Sequence, residues 1–360
     1  MARMTSFWSR LIPILGALVL AAAIVLPKNS AVASICLLTL AATVVCAVHH
    51  AEVVAHRVGE PFGTLVLALA VTIIEVALIV SIMLSGDPDK TAAVPRDTVF
   101  AAIMIICNGL IGLCLLIGGI RYREQSFNTG GANAALATLI ALATLSLVLP
   151  AFTTTSAGLT YSTSQLSFAA IASLVLWGMF VFVQTIRHRD YFLPVENRDN
   201  ENIHATPPTN RDAWVSFGFL NLGLIVVVGL AKVLSPSIEA AVVSAGAPHA
   251  TIGVLIAVLV LLPETTAAVR AALANRLQTS LNLALGSALA SIGLTIPAVA
   301  LTSLLLGTPL QLGLQAKDLV LLTLTFLVTS ITLVTGRTSV MQGAIHIVIF
   351  AAFLFLTLIP

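Results

Sequence analysis

Apolar runs long enough to cross a lipid bilayer recur from one end of this chain to the other, and they leave few folds open to it. Eleven can be counted, at about 11–27, 31–50, 63–86, 98–120, 133–152, 166–186, 213–233, 249–269, 280–306, 317–335 and 339–359. A membrane-crossing helix needs roughly 17 to 25 such residues, whereas barrel strands are shorter and alternate in polarity. Composition agrees, since 58% of the 360 residues are hydrophobic and only 9% are charged. A soluble domain carries about 25% charged residues. The expected fold class is an all-α polytopic membrane protein with eleven transmembrane helices.

The net charge of +2 says little, but the placement of the charges sets an orientation. Arg3, Arg10, Arg57, Arg121, Arg123, Arg187, Arg189, Arg198, Arg211, Arg270, Arg276 and Arg337 lie at the N-terminus or in even-numbered loops, 12 of the 17 basic residues. Lys28, Lys90, Arg96, Lys232 and Lys317 fall in odd-numbered loops. The positive-inside rule then places the N-terminus in the cytoplasm and the C-terminus outside, in the periplasm of a bacterial inner membrane. Arg3 and Arg10 before an apolar stretch, with "AVA" at 31–33, also resemble a signal peptide. Lys28 interrupts the approach to that cleavage site, so the segment reads as a retained helix. Cys36, Cys46, Cys107 and Cys114 all lie in apolar spans without CxxC spacing, and read as small core residues.

One stretch is plainly hydrophilic, "HRDYFLPVENRDNENIHATPPTNRD" at 188–212. Its mixed charges and three prolines read as a solvated cytoplasmic linker, with a regulatory cation-binding loop as the sharper alternative. It divides the chain into a first helix (1–30), a first five-helix repeat (31–187) and a second (213–360). The halves correspond: "TLVLALAVTIIE" ends at Glu75 and "GVLIAVLVLLPE" at Glu264, each eleven residues after a small residue, Thr64 or Gly253. Ala68 and Ala257 occupy matching places. The next helix of each half carries small or polar residues, "CNGLIG" at 107–112 and "LGSALA" at 285–290. The two Glu-bearing helices are five apart and so cross in opposite directions. Inverted repeats of this kind are an architecture of secondary transporters, with the site at the repeat interface.

An ionised carboxylate at the bilayer centre costs roughly 3 kcal/mol on insertion scales. A single one can be a protonated tie between helices. Two at equivalent repeat positions point to a site. Pro263 has no N–H, which frees the carbonyl of Leu259, and Pro297 does the same for Gly293. Thr72 lies three residues before Glu75 on its helix face. Asn108, Asn282, Ser287 and Ser291 add oxygens on the following helices, and hard cations are held by such sets of carboxylate, carbonyl and hydroxyl oxygens. The expected cation ligands are Glu75, Glu264, Thr72, Leu259, Ser287 and Asn108. A Ser or Thr bonded to its own helix is the competing reading for each hydroxyl.

His49, Glu52 and His56 share one helix face at i, i+3 and i+7. They read as an interface cluster, with a metal triad or a proton path to Glu75 as alternatives. His346 and His249 read as packing or interface residues. No H-E-x-x-H, Walker sequence, Gly-rich phosphate loop or nucleophile elbow occurs, so no enzyme is expected.

These residues resemble the cation/calcium exchanger superfamily, in its proton-coupled branch, with bacterial ChaA-type antiporters as the nearest group. The match rests on "HAEVVAHRVGEPFGTL", with sixteen residues from Gly59 to Glu75, and on "PETTAAVRAALANR" from Pro263, followed by Gly286-Ser287 and Pro297. It covers about 31–350. The resemblance implies one helix plus two inverted five-helix repeats, and export of a cation against entering protons. It places Glu75 and Glu264 on the paired ion-binding carboxylates and Glu52 on an acidic position before them. Many calcium/proton exchangers have Gly-Asn-Ala before each Glu, where this chain has "TII" and "LLP", and Gln where it has Ala290. Fewer side-chain oxygens leave Na⁺ or K⁺ open beside Ca²⁺.

The reading is a secondary antiporter in which the two carboxylates bind either a cation or protons, and their mutual repulsion favours protonation when the cation leaves. A sodium-coupled solute carrier would need a larger central cavity, and a channel would need more than two central charges. Lipid, inorganic cations and protons are the expected partners, with no cofactor and no nucleic acid.

Overall fold

The computed structural model describes residues 2–25, 30–59, 62–85, 91–192 and 208–360. Among these the chain is almost wholly helical. The helices are α1 (Ala2–Val25), α2 (Ser30–Val58), α3 (Phe62–Ser85), α4 (Val94–Tyr122), α5 (Thr129–Ala151), α6 (Thr163–Arg187), α7 (Asn210–Ser244), α8 (Ala250–Leu273), α9 (Leu277–Leu306), α10 (Ala316–Val334) and α11 (Val340–Leu358). Ten are long and apolar enough to cross a membrane, and α3 carries a shorter apolar stretch at Leu69–Leu84. Helices dominate because lipid offers the backbone no hydrogen bonds, so each spanning segment must satisfy its own. Lys28, Glu60, Lys90 and linker residues 193–207 lie outside the described residues, as do the side chains of Thr64 and Ala68.

Each apolar run corresponds to one helix, but several helices outlast their runs. The α2 helix continues past position 50 through "AEVVAHR" to Val58, and α7 continues past 233 to Ser244 with Pro236 inside it. Hydropathy reports the length that must sit in lipid, and a helix can go on beyond it. Lys232 therefore stands on α7 and Arg96 and Lys317 in the first turns of α4 and α10, not in loops as the sequence suggested. Arg96 is buried, donating from Nε to Asp97 Oδ1 at 2.7 Å and from Nη1 to the Gly313 carbonyl at 3.2 Å. All four cysteines are buried and free.

The packing follows the two halves. The α2 and α7 helices pack on each other; α4 packs on α11 as α9 packs on α6; α8 lies against α4 as α3 lies against α9. Missing side chains allow the closest approaches, as is usual between membrane helices. A β-carbon on Gly112 of α4 would come within 2.7 Å of the His346 Cβ on α11. One on Gly293 of α9 would come within 2.6 Å of the Trp177 Cβ on α6. The α4 helix is the most enclosed, with 83% of its apolar window buried, whereas α6 has 22%.

Two apolar clusters form the interior. One is built on α4, α5 and α9 with the inner faces of α6, α8, α10 and α11; the other joins α1, α2, α3, α7 and the first half of α8. The boundary runs along α3 and α8: Ile74 and Leu78 belong to one cluster and Ile79 and Met83 to the other. Val260 and Leu261 divide in the same way.

The loops are sewn at both ends. At one end Gln311 N donates to Ala92 O and Gly313 N to Leu159 O, each at 2.9 Å. At the other, β1 (Gln125–Ser126) and β2 (Arg337–Thr338) form a short antiparallel ribbon between the α4–α5 and α10–α11 connections.

Candidate functional site

The α3 helix presents Thr72 and Glu75 three residues apart on one face, both buried. Directly opposite, on α9, the Ser291 hydroxyl lies 2.6 Å from Glu75 Oε1 and 2.7 Å from Oε2. A hydroxyl has one hydrogen, so a single donor is shared between two carboxylate oxygens. One turn further along α9, the buried Thr295 hydroxyl sits beside Glu75 without completing a hydrogen bond to any described residue. The α9 helix can bring these groups in because Gly293, on its other side, lets it seat closely against Trp177.

Glu264 on α8 is equally enclosed, at 6% exposure, and its Oε2 has no hydrogen-bond partner among the described residues. The charges of Glu52 and Glu75 both act on it. Burying a carboxylate without a partner is costly, so such an oxygen marks a place for a proton or a cation. Pro263, immediately before it, lies inside the continuous α8 helix and leaves the Leu259 carbonyl without its i+4 donor. The two carboxylates thus lie buried, within electrostatic reach of each other, on the helices that border the two apolar clusters. Beside Glu75 stand the hydroxyls of Ser291 and Thr295, and one turn before Glu264 on α8 is the released carbonyl of Leu259.

The other sequence-derived residues divide. Ser287 lies one turn before Ser291 on α9, half-buried, with no hydrogen bond to either carboxylate. Asn108 is committed elsewhere. Its Nδ2 donates to Thr325 Oγ1 at 2.9 Å, and its Oδ1 lies 3.1 Å from His346 Nδ1, whose Nε2 is 3.1 Å from Thr332 Oγ1. The expectation of Asn108 as a cation ligand gives way to a buried tie among α4, α10 and α11, set in a wide π-helical turn at Ile105–Leu110. Asn282 is likewise diverted, donating to the Phe192 carbonyl and accepting from Gln278 Nε2 at 2.8 Å. His346 is fully buried and serves this packing network.

Glu52 is half-buried on α2, within electrostatic reach of His49, His56 and Arg270 as well as Glu264. Among the described residues, no group of three or more His, Cys, Asp or Glu side chains converges enough to hold a metal ion, so His49, Glu52 and His56 do not form a metal triad. His49 instead has the His50 ring 5.7 Å away. Thr295 and Arg270 were not singled out from the sequence as site residues. Thr295 completes a visible stripe with Ser287 and Ser291, at i, i+4 and i+8, which could have found it.

Residues 28–186 and 215–359 match the family model described as sodium/calcium exchanger protein. The chain is 52% identical over 358 residues to y4hA of Sinorhizobium fredii, named as an ionic transporter, covering 98% of this chain and 96% of that protein. It is 36% identical over 332 residues to the sodium-potassium/proton antiporter ChaA of Escherichia coli, covering 91% and 89%. Among solved structures, native YfkE superimposes with a TM-score of 0.71 at 19% identity, over 97% of this chain and 100% of that one. The H⁺/Ca²⁺ exchanger CAX gives 0.72 at 13%, over 97% and 88%. Those two likenesses speak for the fold, and the fold is that of polytopic exchangers with inverted repeats. Taken with the opposed carboxylates of α3 and α8, the match over both halves settles the kinship: the chain belongs to the sodium/calcium exchanger protein family.

Proposed function

We propose that this protein is a secondary-active cation/proton antiporter of a bacterial inner membrane, exporting Ca²⁺, Na⁺ or K⁺ in exchange for H⁺. The observation that carries the reading is the pair of buried carboxylates, Glu75 and Glu264, on helices at corresponding places in the two halves, with one carboxylate oxygen unsatisfied. The antiporter names of its relatives support it. In the cation-loaded state both carboxylates are ionised and the cation takes oxygens from Glu75, Glu264, Ser291, Thr295 and the Leu259 carbonyl, with Thr72 and Ser287 lining the approach. In the proton-loaded state the same carboxyls carry hydrogen and need no cation. One site holding either cargo, never both, is what couples their opposite movements.

The halves at 31–187 and 213–360 then rock about this site to open it to alternate sides. The basic residues orient the assembly with its N-terminus and the 188–212 linker in the cytoplasm and its C-terminus in the periplasm. Glu52, with His49 and His56 beside it, forms the proton approach from the cytoplasmic end.

Vesicles carrying the purified protein and an imposed pH gradient test the proposal. Wild type should move cation against protons, and Glu75→Gln and Glu264→Gln should each abolish exchange while leaving thermal stability near wild type. The double variant should be no worse than either single, because both act on one site. Exchange that persists in Glu75→Gln would remove that residue from the mechanism.

A further inference from the structure

At the end of the bundle where α4, α8 and α10 finish, three connections that meet at one junction carry four arginines. Arg121 and Arg123 close α4, Arg276 stands between α8 and α9, and Arg337 opens β2. Gln125 is the hub. Its Nε2 donates to the Asn275 side chain at 2.9 Å, next to Arg276, and to the Ala272 carbonyl at 3.3 Å. Its strand pairs with β2, where Ser126 lies opposite Arg337. Arg123, Arg276 and Arg337 are exposed, and none has a carboxylate partner among the described residues; Glu124 beside them is exposed too.

The backbone at Arg123 is the second observation. Its φ is 67° and ψ −58°, with Glu124 N donating back to Tyr122 O at 2.8 Å. This is the strained γ-turn that side chains rarely adopt. The pivot is forced because the residues on both sides are fastened to the same helix end. Tyr122 donates its hydroxyl to the Leu273 carbonyl at 2.7 Å, and Gln125 holds Ala272. Glycine would meet the turn without penalty. The chain instead carries arginine there, an exposed cation between two anchored neighbours. Strain kept where a cheaper residue would serve points to use of the side chain. A topogenic charge needs neither this backbone nor convergence from three loops.

We propose that this arginine junction binds the phosphate headgroup of an anionic phospholipid in the adjoining leaflet, with Arg123, Arg276 and Arg337 as its ligands. Guanidinium groups match phosphate with paired hydrogen bonds, and their place at the ends of membrane helices sets them level with headgroups. The bound lipid bridges the α4–α5, α8–α9 and α10–α11 connections. It thereby steadies the end of α8, the helix that carries Glu264.

Thermal unfolding of the full-length protein in neutral detergent tests this without any transport measurement, so its outcome is independent of the antiport reading. Added phosphatidylglycerol should raise the Tm of wild type, since a ligand of the folded state stabilises it; phosphatidylcholine and inorganic phosphate should not. Arg123→Gly relieves the positive φ, so its Tm in detergent alone should equal or exceed wild type while the phosphatidylglycerol shift shrinks. The triple variant Arg123→Gln, Arg276→Gln, Arg337→Gln should lose the shift. Arg187→Gln with Arg189→Gln, also exposed and basic but outside the junction, should keep it. A full shift in Arg123→Gly overturns the proposal, and that variant alone decides if the triple fails to fold. An equal shift with inorganic phosphate would make the occupant a soluble anion and overturn the lipid assignment.

Discussion

Ser291 holds both carboxylate oxygens of Glu75 with one hydroxyl, at 2.6 and 2.7 Å, across the contact between α9 and α3. Ser291→Ala should leave the carboxylate bare, and hydrogen bonds to charged groups are worth about 1.5–3 kcal/mol. Apparent cation affinity in vesicle exchange should fall roughly 10- to 100-fold, with expression retained. An unchanged affinity would mean that the serine merely fills space.

Pro263 offers a subtler probe, because it acts through a carbonyl. Pro263→Ala returns an N–H to α8 and lets the Leu259 oxygen accept it. Cation affinity should weaken while the melting temperature stays level or rises. If titration of transport against cation concentration gives the wild-type curve, the Leu259 carbonyl is no ligand.

The contact of α4 with α11 leaves no room for a side chain at Gly343. An added β-carbon would fall on the Leu116 backbone nitrogen and lie 2.7 Å from its Cα. Gly343→Ala should destabilise the protein by about 1–3 kcal/mol, read as a lowered Tm in detergent, and should disturb the adjacent Asn108–His346 tie. Wild-type stability would show that the helices separate at no cost.

Orientation is open to chemistry. In a cysteine-free background, Arg276→Cys should react with a membrane-impermeant maleimide only after the cytoplasmic side is exposed. Pro309→Cys, at an exposed position in the connection between α9 and α10, should react from the periplasm of intact cells. Labelling of both from one side would contradict the inverted repeat.

The eleven helices and the two carboxylates were legible because both follow from solvation: lipid demands long apolar runs, and a charge inside one is conspicuous. The partners were not. Ser287 and Ser291 share one face of α9, and only the level at which α9 packs along α3 decides that Ser291, not Ser287, reaches Glu75. Asn108 and Asn282 read as spare oxygens until Thr325, His346 and Phe192 arrive from distant parts of the chain to occupy them. Lys232 and Arg96 were misplaced into loops because hydropathy marks the edge of the lipid, and α7 and α4 pass that edge as helix. Arg123 read in the sequence only as one of the twelve charges that set the orientation, since its further significance lies in a dihedral angle.

Gly293 carries a consequence for where the protein can work. The turn of α9 that offers Ser291 and Thr295 to Glu75 rests its opposite side on Trp177, and α6, which bears that tryptophan, is mostly bare to its surroundings. On that side only one helix stands between these hydroxyls and the acyl chains. A membrane thicker or thinner than the native one is accommodated in part by helix tilt, and a tilt of α6 presses on the turn that carries both hydroxyls. Selectivity and turnover should therefore vary with acyl-chain length in reconstituted vesicles, so that the membrane is a tuning element of the site as well as its container.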